Sequence, residues 1–437
     1  MTRARELADQ HKTLDVDGGT IKLDGNYPVG TDNVALGDNA FGAVTTGQRN
    51  VAIGDNALYS NTDGSYNTAT GKNSLVNNTS GSYNTGLGEE ALNSNTTANN
   101  NTAVGYQSLY NNTAIGNTAV GGFSLKANTT GVGNAAFGYY TLALNTTGSN
   151  NSGFGSSGNP STLYYNTTGS NNTAMGTGAL FNNTTASNNT AVGYQSLYAN
   201  TTAPQNTAVG FEAGYSNTTA GNNTLIGYKS GRAGVTATQV TGLGSNTLVS
   251  NTGSFNTGLG YGAMYANTSG VNNTAVGVEA LVSNTAGNNN IAAGYQAGYS
   301  NTTGTQNAFV GRGAGYSNTT GTYLAVFGDG ALETNTTGIS NTAIGQYALR
   351  FNTTASNNTA VGYQAAYSNT TGASQVAVGK QALYLNTTGT FNHALGEGSL
   401  YNNTTGSNNT AVGYQALVNN TTASTNTAVG HQAGLYN

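Results

Sequence analysis

The side chains able to do acid–base, metal or nucleophile chemistry are few and scattered. The chain has three histidines, His11, His393 and His431, and no cysteine. Without Cys there is neither a disulfide framework nor a zinc cluster of the Cys/His kind. His393 and His431 stand 38 residues apart and fall at different positions of the repeat described below, so they predict no triad. The carboxylates offer one pairing. Asp38 and Asp55, followed by Lys72 and Glu89, recur at a spacing of 17 residues. If successive blocks stack in register, Asp38 and Asp55 approach to about 5 Å, the separation of a retaining glycosidase pair. One acid of such a pair must be buried to hold its proton. The same repeat position elsewhere carries Tyr, Ser, Lys or Arg, which reads as exposed. The row is therefore read as a solvated ladder partly neutralised by Lys72, with a weak cation site beside Asn39 and Asn56 as the lesser option. The chain is read as no enzyme, with no cofactor and no metal.

Tyrosine is the remaining candidate, at 27 residues. One rank holds Tyr106, Tyr139, Tyr194, Tyr228, Tyr261, Tyr295, Tyr363 and Tyr414. A second, four residues further on, holds Tyr59, Tyr110, Tyr164, Tyr198, Tyr215, Tyr265, Tyr299, Tyr316, Tyr367, Tyr384 and Tyr401. Two readings stand side by side. Rings stacked between neighbouring blocks stabilise a ladder by roughly 0.2–1 kcal/mol per pair. Alternatively, their faces dock carbohydrate while flanking Asn and Thr supply hydrogen bonds, many weak sites giving avidity. Tyr194, Tyr198, Tyr363, Tyr367 and Tyr414 are the candidate glycan-stacking residues.

What must position these residues is a repeat. Aligned on the Gly of Asn-Thr-Ala-Val-Gly, the chain shows 24 anchors from Gly37 to Gly430, and 20 of the 23 intervals are 17 residues. The unit reads N-T-A-V-G-Y-Q-A-L-Y-x-N-T-T-G-x-x, numbered here 1 to 17. Such a period is too short for helix-pair repeats, and Gly and Asn at fixed offsets oppose long helices. Two short extended runs per unit, separated by turns, predict one coil of a parallel β-solenoid (β-roll). The fold class is all-β, about 24 coils, stacking at about 4.8 Å into a rod of about 115 Å. Position 4 (Leu36, Ile53, Val104, Met175, Val192, Phe327, Val412) and position 9 (Leu58, Leu92, Leu180, Leu417) are the expected core, with position 2 on the same face as position 4. Asn at position 12 suits a tight αL corner and an amide ladder. Gly at position 5 predicts positive φ or close backbone approach. The small residues of position 3 line either a narrow interior or a seam between chains. A thin core favours the second, and with it a homotrimer.

The ends and irregularities set the organisation. Ten of the 28 charged residues lie in residues 1–32, so 1–32 is read as an attachment or capping segment and 33–437 as the repeat shaft. Residues 2–11 suit a short helix, and 13–27 suit two strands around Gly18-Gly19. The chain stops at Asn437, inside a repeat, where an uncapped edge invites aggregation, and a further segment is expected beyond it. Four extra residues with Pro160, between Gly155 and Gly176, predict a protruding loop. The block 223–239 loses Asn at position 12 and gains Lys229 and Arg232, predicting a bulge or kink. The net charge of −4 with 6% charged residues carries no nucleic-acid footprint. No run of 18 apolar residues is present, so no membrane insertion is expected, and the N-terminus lacks a secretory h-region. The Asn-x-Thr triplets match glycosylation acceptors but are read as turn Asn plus β-favouring Thr.

The motif Asn50-Val51-Ala52-Ile53-Gly54 resembles the N-x-V-A-I-G coils of trimeric autotransporter adhesin heads, which are β-rolls. The recurring run with Asn-Thr-Ala-Val-Gly-Tyr-Gln is similar to the repeats of tailed-bacteriophage tail fibres, as is the start MTRARELAD. Autotransporter coils are shorter and need an export signal. The resemblance therefore implies a tail fibre: a homotrimeric structural virion protein for host attachment. It implies assembly in the host cytoplasm, residues 1–32 contacting other tail proteins, and a host-surface glycan or receptor as partner. A C-terminal self-cleaving chaperone domain is a further implication. The alternatives are a bacterial surface adhesin or self-assembling extracellular filament, and, remotely, an ice-binding solenoid using Thr of position 13.

Overall fold

The computed structural model describes residues 14–16, 19–21, 32–155 and 158–435. The chain divides into two compact units, Met1–Val209 and Gly210–Asn437, and one rule builds both. Each block makes one lap of backbone and contributes one three-residue strand. In the first unit the strands β3 (Val34–Leu36) to β13 (Thr207–Val209) form a parallel sheet; in the second, β14 (Thr224–Ile226) to β26 (Thr427–Val429) do the same. Partners sit one repeat apart, Val34 opposite Val51 and Thr359 opposite Val376. No α-helix occurs among the described residues. The architecture is the parallel β-solenoid that the period predicts. Ahead of it, β1 (Leu14–Val16) and β2 (Gly19–Ile21) pair antiparallel, the expected hairpin. The expected helix over 2–11 lies outside the described residues.

The lap differs from expectation in having one strand, not two. The second apolar run, around position 9, is a series of turns. Its residues alternate into the left-handed region, with φ of 55° at Asn56 and 50° at Leu58, where no strand can run. Positions 7, 9 and 17 hold these conformations lap after lap. Position 12 does not, so the αL corner expected of the Asn there is corrected. A Leu in the left-handed region costs roughly 1–2 kcal/mol. Full burial of its side chain, worth about 1.5–3 kcal/mol, offsets that. The turns are stitched to neighbouring laps by backbone bonds, such as Leu58 N to Ser74 O (3.1 Å) and Thr62 N to Thr79 O (2.9 Å).

The phase of the strand is the reverse of the expected one. Its middle residue, position 3, faces inward: Ala52, Ala103, Ala191 and Ala360 are fully buried. Positions 2 and 4 face outward, and Met175, Phe327 and Ile344 of position 4 are 45%, 42% and 40% exposed. Val104, Val192 and Val412 are half-buried on the same outer face. The period-two rule holds, but the interior is too narrow for a branched side chain on every lap. Leu of position 9 and two columns of Asn already fill it, leaving a methyl's width for position 3. The small-residue stripe is thus the inner wall of a single chain and not a seam between chains.

Asn at positions 1 and 12 forms those columns, buried from Asn50 to Asn420 and half-buried at Asn33 and Asn426. Within one lap, Asn67 Nδ2 and Asn78 Nδ2 both donate to the carbonyl of Gly81, at 2.8 and 2.9 Å. Between laps, Asn78 Nδ2 donates to Asn61 Oδ1 (2.7 Å) and the Asn67 backbone N–H donates to Asn50 Oδ1 (2.8 Å). Each amide therefore closes a corner and bonds the next lap, which is how a polar column survives in a core. The irregular laps are absorbed at these corners. In the two 16-residue laps, Asn112 and Asn251 reach the carbonyl two residues on, at Ala114 and Gly253 (both 2.7 Å), in place of three residues on. Strand register is unaffected, with Thr102 opposite Thr118 and Thr241 opposite Thr257. The block 223–239 also keeps its lap, β14 pairing in register with β15 (Thr241–Leu243). Its missing rung at Gly234 shows internally, as a cavity of about 10 Å³ lined by Asn217, Gly234 and Asn251.

At Phe309 and Leu225, the two largest side chains of position 3, position 9 is Gly, whereas the smaller Val326 keeps Leu332 there. Phe309 is fully buried, and a Cβ on Gly298 would lie 2.7 Å from its ring, with a Cβ on Gly315 also in collision with it. Leu225 sits against Gly231 in the same way. One side chain fills the space that two lost. Phe309→Ala is expected to cost about 3 kcal/mol, the low end for Phe truncation. Adding Gly298→Leu and Gly315→Leu should recover most of it, because Leu occupies that backbone elsewhere. Calorimetry of the single and triple variants checks this; strictly additive losses would refute the compensation.

Candidate functional site

The outer surface carries ranks of like residues one lap apart, because parallel in-register stacking puts equal repeat positions in columns. For charges this yields ion pairs. Arg312 meets Asp329 (3.0 Å) and Lys380 meets Glu397 (3.1 Å) on the following lap, and Arg350 meets Glu333 (2.7 Å) on the preceding one. All are solvent-accessible, so each adds little to stability. The Arg312 guanidinium is held above its ordinary value by its hydrogen bond to Asp329. Asp38 is exposed and Asp55 half-buried, with Asn56 N bonded to Asp38 O on the preceding lap (2.9 Å). Neither is enclosed in the way a proton-holding carboxyl requires. His393 is exposed on β24 (His393–Leu395), and His431 stacks on Tyr414 at 5.2 Å. Among the described residues, no group of three or more His, Asp or Glu is placed to hold a metal ion. Among those residues, too, no helix is long and apolar enough to cross a membrane.

The tyrosine ranks split by position. Tyr194, Tyr363 and Tyr414, at position 6, are exposed. Tyr198 and Tyr367, at position 10, are half-buried in stacks: Tyr198 lies on Phe181 at 5.3 Å, and Tyr367 on Tyr384 at 5.2 Å. Tyr384 continues to Tyr401 at 5.0 Å, so both of its faces are covered. Burial, followed by its neighbours Tyr401 and Tyr367, holds the Tyr384 phenol above its ordinary value. A ring covered on both faces shows solvent only its edge. The ladder reading thus describes position 10 in these laps, and at position 6 Tyr414 is itself stacked on His431. Thr of position 13 is committed too: Thr79 Oγ1 donates to Thr96 O (3.2 Å) and Thr370 Oγ1 to Thr387 O (3.0 Å). That leaves these hydroxyls poorly placed to order ice.

One place breaks the columns. In the first unit, Gly158, Asn159 and Ser161 of the longer block between Gly155 and Gly176 lie beside two Tyr doublets, Tyr139-Tyr140 and Tyr164-Tyr165, and with them and Phe181 line a cleft of about 500 Å³. Within each doublet the rings meet edge to face, Tyr139 and Tyr140 at 77° and Tyr164 and Tyr165 at 87°, while Tyr140 also stacks on Phe123 and Phe181 stacks on both Tyr164 and Tyr198. The described part of the loop is exposed at Gly158 and Asn159 and then pinned down. Ser161 Oγ donates to Gly158 O (2.7 Å) and Thr162 Oγ1 to Gly176 O (2.8 Å). Pro160 rests over Gly178, where a Cβ would lie 2.9 Å from its ring. A hydrogen bond with Tyr140, then burial, holds the Tyr139 phenol above its ordinary value. Reading by repeat position passed over this site. Its signal in the sequence was the pair of Tyr doublets flanking the only four-residue insertion.

Compared with known proteins, the chain matches no family model and no curated protein.

Proposed function

We propose that the chain is a non-catalytic structural and attachment protein, a tail fibre of a tailed bacteriophage, working as a homotrimer. The observation that carries this reading is the outward apolar rank of position 4. It runs lap after lap along each unit, from Leu36 to Val209 and from Ile226 to Val429. A sheet face of that length exceeds the few hundred Å² of apolar surface that monomers normally leave in water. Copies of the same chain match it lap for lap, since every copy has the same period. This moves the contact between chains from position 3 to positions 2 and 4. The repeat's resemblance to tail-fibre shafts supports the virion as location, residues 1–32 as the joint to other tail proteins, and a host-surface glycan or receptor as target.

In solution, the native mass should be three times the 44.1 kDa of the chain, measured by light scattering after size exclusion. Phe327→Lys with Ile344→Lys should lower that mass while leaving the far-ultraviolet spectrum unchanged, because neither side chain reaches the core. A monomeric wild type would defeat the trimer. For the virion, antibody against the chain should decorate tails of phage particles from its source in electron micrographs. Labelling of the bacterial envelope would make it a surface adhesin.

A further inference from the structure

We propose that the cleft formed by Tyr139, Tyr140, Tyr164, Tyr165, Phe181 and the Gly158–Ser161 loop is a binding site for a neutral oligosaccharide. The assignment deepens the attachment reading and rests on it for the source of the ligand; the chemistry stands on the cleft itself. Its volume, about 500 Å³, lies within the roughly 300–1,000 Å³ of small-ligand sites. Among the described residues, its lining contains no charged side chain. Five aromatic rings supply apolar surface, and four phenols, the Asn159 amide and the Ser161 hydroxyl supply neutral hydrogen-bonding groups. A pyranose ring has the complementary character, an apolar face of C–H bonds and a rim of hydroxyls. An anionic sugar or a phosphate would find no cation here to offset its desolvation.

Within the two doublets the rings are near-perpendicular, 77° for Tyr139 and Tyr140 and 87° for Tyr164 and Tyr165, so the members of a doublet do not cover each other face to face. Phe181, which also lines the cleft, is stacked between Tyr164 and Tyr198. The loop is held by the Ser161 and Thr162 hydrogen bonds and by the seat of Pro160 on Gly178. The cleft is therefore formed before a ligand arrives, which lowers the ordering cost of binding.

The test uses the purified full chain and four neutral probes, maltoheptaose, cellohexaose, chitohexaose and laminarihexaose, with 3′-sialyllactose as the charged comparison. Saturation-transfer NMR titration should find at least one neutral probe binding in the millimolar range. Phe181→Ala and, separately, Asn159→Ala should weaken it about tenfold, while Tyr384→Ala leaves it unchanged. Asn159 lies on the exposed loop, so its variant keeps the core intact and guards against misfolding as the cause. Failure of all four neutral probes, a preference for 3′-sialyllactose, or equal binding by Asn159→Ala and wild type would overturn the site. Adherence of the full chain to bacterial cells reports separately on attachment. Sugar binding without adherence would keep the cleft and remove the attachment reading. Adherence unaffected by Asn159→Ala and Phe181→Ala would do the opposite.

Discussion

Gly345→Ala is expected to cost about 5 kcal/mol and to open the laps on either side of it. Gly345 has φ +126°, and a Cβ there would lie 2.5 Å from the carbonyl oxygen and 2.7 Å from the carbonyl carbon of Gly362. The colliding atoms are backbone, so no rotamer change relieves them; the laps must part. Residence in a Gly-only region contributes about 1–3 kcal/mol and overpacking a further 1–3 kcal/mol or so. Gly313→Ala is the control. Its φ is +62° and nothing lies within 4 Å of the added methyl, so its cost should stay near 1 kcal/mol. Because a solenoid is a chain of nearest-neighbour contacts, the damage should be local. Hydrogen exchange over residues 325–379 should show lost protection in Gly345→Ala alone. Equal protection in the two variants would refute the close approach of anchor glycines as the constraint on position 5.

Asn301→Asp should be of similar size at neutral pH and should fade in acid. Asn301 Nδ2 donates to Asn284 Oδ1 (2.9 Å) and Gly304 O (3.1 Å), and its Oδ1 accepts from Asn318 Nδ2 (2.8 Å). A carboxylate in that place keeps the accepted bond and loses both donated ones. It then faces two oxygens without a cation, a buried unpaired charge costing about 3–5 kcal/mol, with about 1–3 kcal/mol more for the orphaned acceptors. Burial raises the folded-state pKa of the introduced carboxyl above its unfolded value of about 3.9. The sign follows: stability is present below the unfolded pKa, where the neutral acid can donate once, and is lost as pH rises through the folded pKa. Melting temperatures from pH 3 to 8 should therefore fall for the variant relative to wild type. Asn402→Asp, on the surface with a single 3.3 Å side-chain contact to Asn419, should track wild type. A deficit for Asn301→Asp that is flat with pH would mean that the column is wetter than its burial indicates.

Residue by residue, legibility was uneven. Position 9 could be read as interior because Leu repeats there with little alternative, and position 12 as an amide ladder; the second column, at position 1, was not read. Gly at position 5 could be read as a close approach, and the hairpin at 14–21 as strands around Gly18-Gly19. Position 4 misled. Ile53, Met175 and Phe327 are among the most apolar residues of their units, yet their side chains face outward. Apolar character alone does not say which face of a three-residue strand turns inward. The cleft was missed for a different reason. Averaging over repeats suppresses whatever occurs once, and a site that breaks the column is by nature a single occurrence.

The amino-acid sequence by itself determined the lap length, the parallel in-register stacking and the amide ladder of position 12, because each follows from a period that any stacked lap must obey. Only the tertiary structure decided which face of the three-residue strand points inward, since both phases satisfy the same alternation and the available interior width chooses between them. It also decided which tyrosines stack, because that depends on the angle between rings on neighbouring laps, which no spacing along the chain encodes.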